Sequence, residues 1–249
     1  MTPPLLAVRG LVKRFGGVVA TDHVDLDVRG GEVHALIGPN GAGKTTLVAQ
    51  LAGQLRSDAG QVAFEGTDIT RLSAHRRARR GLVRSFQITR LFRSFTVREQ
   101  LALAAMAVDG ANLDPWRRAS DVRAAQARAD ELLDALGLAG QAGLAIDALS
   151  HGERRALEVG LALASRPRLV LLDEPMAGLG PEESQRMEAL IGRLRREASL
   201  LLIEHDVQAV FRLADRVSVL VNGAIVASDT PQAVRHDARV IDAYLGGAA

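Results

Sequence analysis

The chain has 249 residues, enough for one domain or two small ones, and its 47% hydrophobic and 24% charged content is ordinary for a globular protein. It contains no cysteine, which excludes disulfides and thiol redox chemistry, and no apolar run reaches the roughly 18 residues that a membrane span needs. A net charge of +2 and 3% aromatic residues make a nucleic-acid partner unexpected. The N-terminus lacks a secretion signal, so a cytoplasmic protein is expected.

Short apolar segments in the N-terminal part of the chain predict strands. They are Leu6–Val8, Val24–Val28, Glu32–Ile37 and Gln61–Glu65. The third of them is a short, mainly apolar run that is entered from two glycines, and it predicts a buried strand.

A glycine-rich loop follows this third strand and matches the pattern G-x-x-x-x-G-K-[ST]. Its residues are Gly38, Pro39, Asn40, Gly41, Ala42, Gly43, Lys44, Thr45 and Thr46. Small residues let backbone N–H groups point at a β-phosphate, Lys44 would reach the β- and γ-phosphates, and the Thr45 hydroxyl would bind Mg²⁺. The apolar face from Thr45 to Leu55 predicts a helix, whose N-terminus also favours an anion. This context favours a phosphate-binding loop over an incidental glycine-rich turn.

Helical periodicity replaces the strands in the middle of the chain. Helices are predicted at Val97–Ala107, Val122–Leu136 and Arg154–Ala164. A cluster of arginines between positions 71 and 84 precedes them; it would form a solvated helix face, the favoured interpretation, or contact phosphate headgroups or a partner. The segment from Ile88 to Phe95 carries large apolar side chains, which would either dock a partner or anchor the helical region.

The predicted helix at Arg154 is preceded by Leu149, Ser150, His151, Gly152 and Glu153. A serine followed three residues later by glutamate is a capping box, which stabilises a helix start. A glycine-containing helix N-terminus with a free hydroxyl is also a second anion site. The two interpretations are compatible.

Polar residues follow two continuous apolar runs that predict parallel strands. Asp173 and Glu174 end the run Leu169–Leu172, where Asp173 suits Mg²⁺ and Glu174 would deprotonate the attacking water. His205 follows the run Leu200–Ile203 and would hydrogen-bond a γ-phosphate. Ligands bind at this edge of a parallel sheet, which favours a catalytic role over an acidic corner or a structural histidine.

Gln87 lies at the junction between the strand-rich part and the helical part. Its amide would touch Mg²⁺ or the attacking water, and without the other motifs it would be interpreted as a surface residue. Near the C-terminus, Asn222-Gly223 between two apolar segments predicts a β-hairpin. The sequence as a whole predicts an α/β fold with a parallel sheet, N-terminal antiparallel strands and a helical insertion.

The loop, Gln87, Leu149–Glu153, Asp173-Glu174 and His205 occur in the order found in ATP-binding cassette (ABC) transporter ATPases, and the resemblance covers essentially the whole chain. Phe15 resembles the aromatic that stacks on adenine in that family, with bulk packing as the alternative. His151 and Glu153 replace the usual glycine and glutamine of the family's signature, and Gly180 replaces a common aspartate. These departures resemble the subgroup that serves branched-chain amino acid importers. The missing aspartate leaves open how two cassettes communicate.

The resemblance implies one P-loop ABC ATPase domain, with a nucleotide-binding core at about 1–88 and 165–249 and a helical subdomain at about 89–164. It implies ATP and Mg²⁺ as cofactors. Two cassettes would face head to tail, so that Ser150, His151, Gly152 and Glu153 act on nucleotide bound by the partner. A second, different cassette is favoured over a second copy.

The resemblance also implies membrane permease subunits, an extracytoplasmic solute-binding protein, and a position on the cytoplasmic face of the cell membrane. The expected function is ATP hydrolysis that drives uptake of branched-chain amino acids or a related small solute such as urea or an amide. The alternative is a non-transport ABC ATPase that acts on nucleic acid or ribosomes. A regulator without turnover is disfavoured because Glu174 and His205 are both present.

Overall fold

The computed structural model describes residues 3–85, 95–106 and 119–245. In chain order the elements are β1 (Leu6–Phe15), β2 (Val18–Val28), β3 (Val33–Ile37), α1 (Lys44–Leu51), β4 (Ala59–Phe64), β5 (Thr67–Asp68), α2 (Ala74–Arg79), β6 (Leu82–Arg84), α3 (Val97–Met106), α4 (Ala119–Leu136), α5 (His151–Leu163), β7 (Leu169–Asp173), α6 (Pro181–Leu194), β8 (Ser199–Ile203), α7 (Val207–Leu213), β9 (Arg216–Val221), β10 (Ala224–Asp229), α8 (Pro231–Arg235) and α9 (Ala238–Leu245). Their contacts define two compact units, Met1–Arg77 with Ser199–Ala249, and Ala78–Ala198.

The first unit contains an antiparallel sheet and a set of mainly parallel strands. In the antiparallel sheet, β1 lies between β2 and β4, and β5 pairs with β4. In the parallel set, β3 lies between β8 and β9, and β10 pairs antiparallel with β9. Every residue of β3 and β8 is buried, which agrees with their mainly apolar sequence, and the polar His34 and Ser199 are buried with them. A core that includes Ile37, Val210 and Val219 joins these strands to α7.

Within its described residues, the second unit combines the parallel strands β6 and β7 with the α-helices α3 to α6. Strand β6 pairs with β7 in parallel, with Leu82 opposite Leu169, and β7 is buried along its whole length. Helices α3, α4 and α5 pack together through side chains that include the fully buried Leu101, Leu132 and Leu157. Their leucines recur at helical spacing, so each helix presents an apolar stripe to the others.

The predicted fold class is confirmed, since both the parallel strands and the N-terminal antiparallel strands are present. The predicted Asn222-Gly223 hairpin is also confirmed, because both residues have positive φ (49° and 81°) as a two-residue turn of this kind requires. Helix α1 ends at Leu51 and not at the predicted Leu55. Gly53, at φ 73°, takes the left-handed conformation that terminates helices, which explains the shorter helix.

The two compact units do not share the boundaries predicted for the core and the helical subdomain. Strand β7 and helix α6 belong to the same unit as helices α3 to α5, because they contact α5. The functional division at about residues 89 and 164 stays a prediction. Among the described residues, no helix is both long enough and apolar enough to cross a membrane.

Candidate functional site

The glycine-rich loop links β3 to α1, as predicted, and its glycines are required by close backbone contacts. A Cβ added to Gly38 would lie 2.1 Å from the carbonyl oxygen of Leu220, and one on Gly43 would lie 2.1 Å from that of Ala20. Gly43 also has φ 103°, a conformation that side chains rarely adopt. Only glycine therefore allows the loop to approach strands β9 and β2 so closely.

Lys44 lies folded across the loop that precedes it. Its Nζ donates to the carbonyl oxygens of Gly38 (2.6 Å) and Pro39 (2.9 Å), and the residue is buried. The ammonium group is thus held at the N-terminus of α1, where the helix dipole adds further positive potential. Thr45, the next residue, is exposed at the same helix end. This end of α1 can attract and hold an anion.

The β9–β10 hairpin supports the loop through a backbone hydrogen bond. The N–H of Gly223 donates to the carbonyl oxygen of Ala42 (2.9 Å), and the N–H of Asp22 donates to the carbonyl oxygen of Gly223 (2.8 Å). The turn predicted from Asn222-Gly223 therefore connects β2 to the loop through these two hydrogen bonds. The local sequence signals the turn but not this contact.

Arg77 is a structural residue that the sequence did not reveal. It was expected on a solvated helix face, but it is buried and its guanidinium donates to the carbonyl oxygens of Gln50 (2.9 Å), Leu51 (2.7 Å) and Thr70 (2.9 Å). Burial lowers the pKa of Arg77 to about 10. The prediction is wrong for this residue because the last carbonyls of α1 need a donor, and Arg77 supplies it. The neighbouring Arg76 is exposed, as predicted.

Phe15, at the end of β1, keeps half of its surface exposed (50%). The Nζ of Lys13 lies 5.4 Å from the centre of its ring and is also paired with Asp58 at 2.8 Å. Bulk packing therefore does not account for this side chain. Its open ring suits stacking on a planar ligand, and the adenine role stays a prediction.

In the second unit, Asp173 ends β7 and is almost completely buried (6% exposed). Its carboxylate pairs with Arg84 of the neighbouring strand β6 at 2.5 Å. A buried carboxylate requires a cation, and Arg84 is that cation in this structure. The partner was not anticipated, since Arg84 was grouped with the exposed arginines.

Glu174 follows Asp173 in a left-handed backbone conformation with φ 48°. Its carbonyl oxygen accepts from the N–H of Ala177 (3.1 Å) and from Arg155 of α5 (2.5 Å). A non-glycine residue in this region is held there by its surroundings, which is common at functional sites. The turn therefore aims the Glu174 side chain in a defined direction.

The predicted capping box at the start of α5 is confirmed. The Ser150 Oγ accepts from the N–H of Glu153 (3.3 Å), and the Glu153 carboxylate accepts from the N–H of Ser150 (2.8 Å). A second carboxylate, that of Glu183, accepts from the N–H of Gly152 (3.1 Å). His151 is exposed. The Gly152 amide already binds an oxyanion of the chain itself, so this helix end is able to hold a negative group.

His205 follows β8 and is exposed in the first unit, with its N–H donating to the Glu204 carboxylate at 3.1 Å. The first unit thus carries the loop, Phe15 and His205, and the second carries Ser150–Glu153, Asp173 and Glu174. Gln87 lies outside the described residues.

The oxygen-bearing side chains predicted to bind Mg²⁺ lie in different units of the chain. Within the described ranges, no group of three or more histidine, aspartate or glutamate side chains is arranged to hold a metal ion. Asp173 in the second unit has a buried carboxylate, which pairs with Arg84, and Thr45 in the first unit is exposed and has a hydroxyl; both are oxygen donors of the kind that Mg²⁺ prefers. Mg²⁺ commonly binds through one or two such ligands and takes the rest from phosphates and water.

Comparison with known proteins agrees with this set of motifs. A family model described as "ABC transporter" matches residues 21–177, and one described as "Branched-chain amino acid ATP-binding cassette transporter" matches residues 224–249. The high-affinity branched-chain amino acid transport ATP-binding protein BraF of Pseudomonas aeruginosa is 40% identical, and LivG of Escherichia coli, with the same description, is 38% identical; each match covers the whole of both chains.

Among solved structures, the ADP conformation of an ATP-binding cassette of an ABC transporter is 29% identical, with a TM-score of 0.84. The match covers 98% of this chain and all of that one. Fold, motif order and full-length similarity therefore agree. The chain belongs to the ABC transporter family and is one of its ATP-binding subunits, an ATPase of membrane transport.

Proposed function

We propose that this ATPase drives an importer of branched-chain amino acids, or of a related small solute such as urea or an amide. The similarity to BraF and LivG over the full length of each chain carries the proposal. The separate match of residues 224–249 to the branched-chain cassette model supports it, because that segment lies outside the general ABC match.

The residue roles follow from the chemistry of each group. Lys44 would exchange its two carbonyl partners for the β- and γ-phosphates of ATP, since an ammonium pairs better with an anion than with neutral carbonyls. Phe15 would stack on adenine. Asp173, with Thr45 and Gln87, would hold Mg²⁺, which neutralises phosphate charge when bound.

Glu174 is the proposed general base. It follows the buried end of β7, and the turn that it occupies fixes its direction, so it would accept a proton from the attacking water. His205 would donate to the γ-phosphate and help to hold this water. Positioned charges of this kind accelerate phosphoryl transfer chiefly by orientation and electrostatic stabilisation.

The signature residues would act on the nucleotide of a second cassette. The exposed Ser150 hydroxyl lies at the N-terminus of α5, where it can donate to a γ-phosphate presented by a partner, and the Gly152 N–H would join it by exchanging the Glu183 carboxylate for that phosphate. We infer head-to-tail pairing, with a different cassette favoured over a second copy. ATP-dependent closure would shift the population of permease states, with the chain attached peripherally at the cytoplasmic face and a solute-binding protein delivering the solute outside.

The Glu174→Gln substitution tests the ATPase step. We expect ATP binding to be retained and steady-state hydrolysis to fall by on the order of 1,000-fold, the scale of a lost general base. A filter-binding assay with ATP and a phosphate-release assay measure the two quantities. Undiminished turnover would remove Glu174 from its role.

Uptake of radiolabelled leucine and of radiolabelled urea by cells with and without the chain tests the transported solute. Leucine uptake that is lost with the chain and is not restored by the Glu174→Gln variant supports the proposal. Recovery of the tagged chain with ribosomes, and not with membrane subunits, would favour the non-transport alternative.

A further inference from the structure

The strained backbone of Glu174 is held by a contact from α5, called here the signature helix because it begins at the signature residues Ser150–Glu153. A non-glycine residue at φ 48° persists only where neighbouring groups fix it. The direction in which the Glu174 side chain leaves the backbone depends on this angle. Whatever fixes the backbone here also fixes the direction of the Cα–Cβ bond from which the carboxylate extends.

Arg155 of α5 contacts three consecutive carbonyl oxygens of this turn. Its Nη2 donates to Glu174 (2.5 Å) and, at the limit of hydrogen-bond length, to Asp173 (3.5 Å), while its Nε donates to Pro175 (3.3 Å). A guanidinium is planar and carries several donors in a fixed arrangement, so it can span several acceptors at once. The three contacts hold the turn as a unit.

The guanidinium is itself held in place. Its Nη1 donates to the Glu158 carboxylate at 2.7 Å, one turn further along α5, and the side chains of Arg155 and Glu158 are only 12% and 15% exposed. Because both are largely buried, their attraction is weakly screened by solvent. Arg155 therefore moves with its helix.

We propose that Arg155 is a positioning residue that couples the signature helix to the catalytic glutamate. The coupling rests on the proposed function, in which Ser150 and Gly152 contact the partner's nucleotide while Glu174 acts on the chain's own. A shift of α5 caused by the partner's γ-phosphate passes through one rigid side chain to the Glu174 backbone. It supplies a route between the two sites in a chain that has Gly180 in place of the common aspartate.

The adjacent Arg154 shows that the contact is specific. Its Nε donates to the carbonyl oxygen of Leu149 (3.1 Å) and its Nη2 to that of Asp147 (2.8 Å), both in the segment before α5. Two consecutive arginines thus have different tasks: Arg154 fixes the entry to the helix, and Arg155 fixes the turn after β7.

Arg155→Met removes the donors and keeps an apolar stem. In the transporter complex purified through a tag on this chain, we expect kcat for ATP hydrolysis to fall about 100-fold, the scale of a misplacement near 1 Å. The dissociation constant of a fluorescent non-hydrolysable ATP analogue should stay within about twofold, because no contact that holds the nucleotide is removed. A residue with a merely structural role would not separate kcat from binding in this way.

Arg128→Met is the matched control. Arg128 is equally buried (11% exposed) and donates to a backbone carbonyl, that of Leu163 at 3.0 Å, but it pairs with Glu131 and Glu197 away from the turn. It should lower thermal stability while leaving kcat within about threefold of the wild type. A kcat loss in Arg155→Met no greater than in this control would overturn the inference.

Two further variants keep the result decisive. Arg155→Lys retains the charge but offers only one ammonium to three carbonyls, so a loss of roughly tenfold in kcat is expected even where the methionine variant folds poorly. In a Glu174→Gln background, Arg155→Met should lower the residual rate no further, because residues that act through one another are not additive. Additive losses, or wild-type turnover in Arg155→Lys, would contradict the coupling. If the single variant Glu174→Gln keeps full turnover, the proposed function itself fails. If Glu174→Gln loses turnover but the Arg155 variants keep it, only the inference about Arg155 fails.

Discussion

Arg77→Met tests whether a buried arginine completes the C-terminal end of the helix that carries the phosphate loop. The substitution removes donors to the carbonyl oxygens of Gln50, Leu51 and Thr70, at 2.7–2.9 Å. A hydrogen bond to a charged group contributes about 1.5–3 kcal/mol, and here several are lost at once. The cost of burying the guanidinium, visible in its pKa of about 10, offsets part of that loss. We expect the free energy of unfolding to fall by about 3 kcal/mol, the scale of leaving buried carbonyl oxygens without a donor.

Urea titration of the nucleotide-free chain, followed by circular dichroism, measures this difference, and Arg76→Met is the control. Arg76 is exposed on the same helix, so its removal should change the free energy by no more than about 0.5 kcal/mol. The dependence on urea concentration should be the same in both variants, since the surface exposed on unfolding is unchanged. If the two variants differ by less than about 1 kcal/mol, the carbonyls of α1 do not depend on Arg77, and the reasoning is wrong.

Three other substitutions test the loop and the acid sensitivity of the fold. Gly43→Ala places a Cβ 2.1 Å from the Ala20 carbonyl oxygen and should weaken ATP binding by about 100-fold or more. In the control variant Gly41→Ala the Cβ meets no atom within 4 Å, so the affinity for ATP should fall by roughly tenfold or less, through the φ of 79° alone. Equal affinities of the two variants in an ATP titration would refute the steric argument. Burial opposes ionisation of Glu32, yet hydrogen bonds from His34 and from the N–H of Arg29 hold its pKa below the usual 4.5. Glu32 therefore stabilises the fold above that pH and loses this effect as the pH falls, so Glu32→Gln should lose less stability than the wild type between about pH 5 and pH 3 in thermal melts; parallel curves would contradict the assignment.

Much of the local structure at the candidate site was predictable because its motifs are local. The phosphate loop, the capping box at Ser150 and the hairpin at Asn222-Gly223 each depend on residues a few positions apart, so their spacing carries the information. The mainly apolar sequence of β3 and the apolar run Leu169–Leu172 of β7 likewise identified buried parallel strands.

Long-range partners could not be read in the same way. Nothing in the sequence distinguishes Arg77 and Arg84 from the exposed arginines around them, because their burial depends on the end of α1 and on Asp173 respectively. Arg155 and Glu183 find their acceptors and donors on other elements, so their roles appear only after those elements have packed. Because all four residues are charged, the sequence places them on the surface, whereas the structure uses each of them in a contact with another part of the chain.

The contact between the glycine-rich loop and the β9–β10 hairpin has a consequence for the order in which the site forms during synthesis. Gly43 packs against Ala20, near the start of the chain, whereas Gly38 and Ala42 contact Leu220 and Gly223, near its end. Domains generally begin to fold as the chain emerges from the ribosome, N-terminal part first. The loop is therefore translated early but gains its full support only after residue 223 has emerged. Until then a nascent chain carries the phosphate-binding sequence without these contacts, so we expect tight nucleotide binding only after the β9–β10 hairpin has been made.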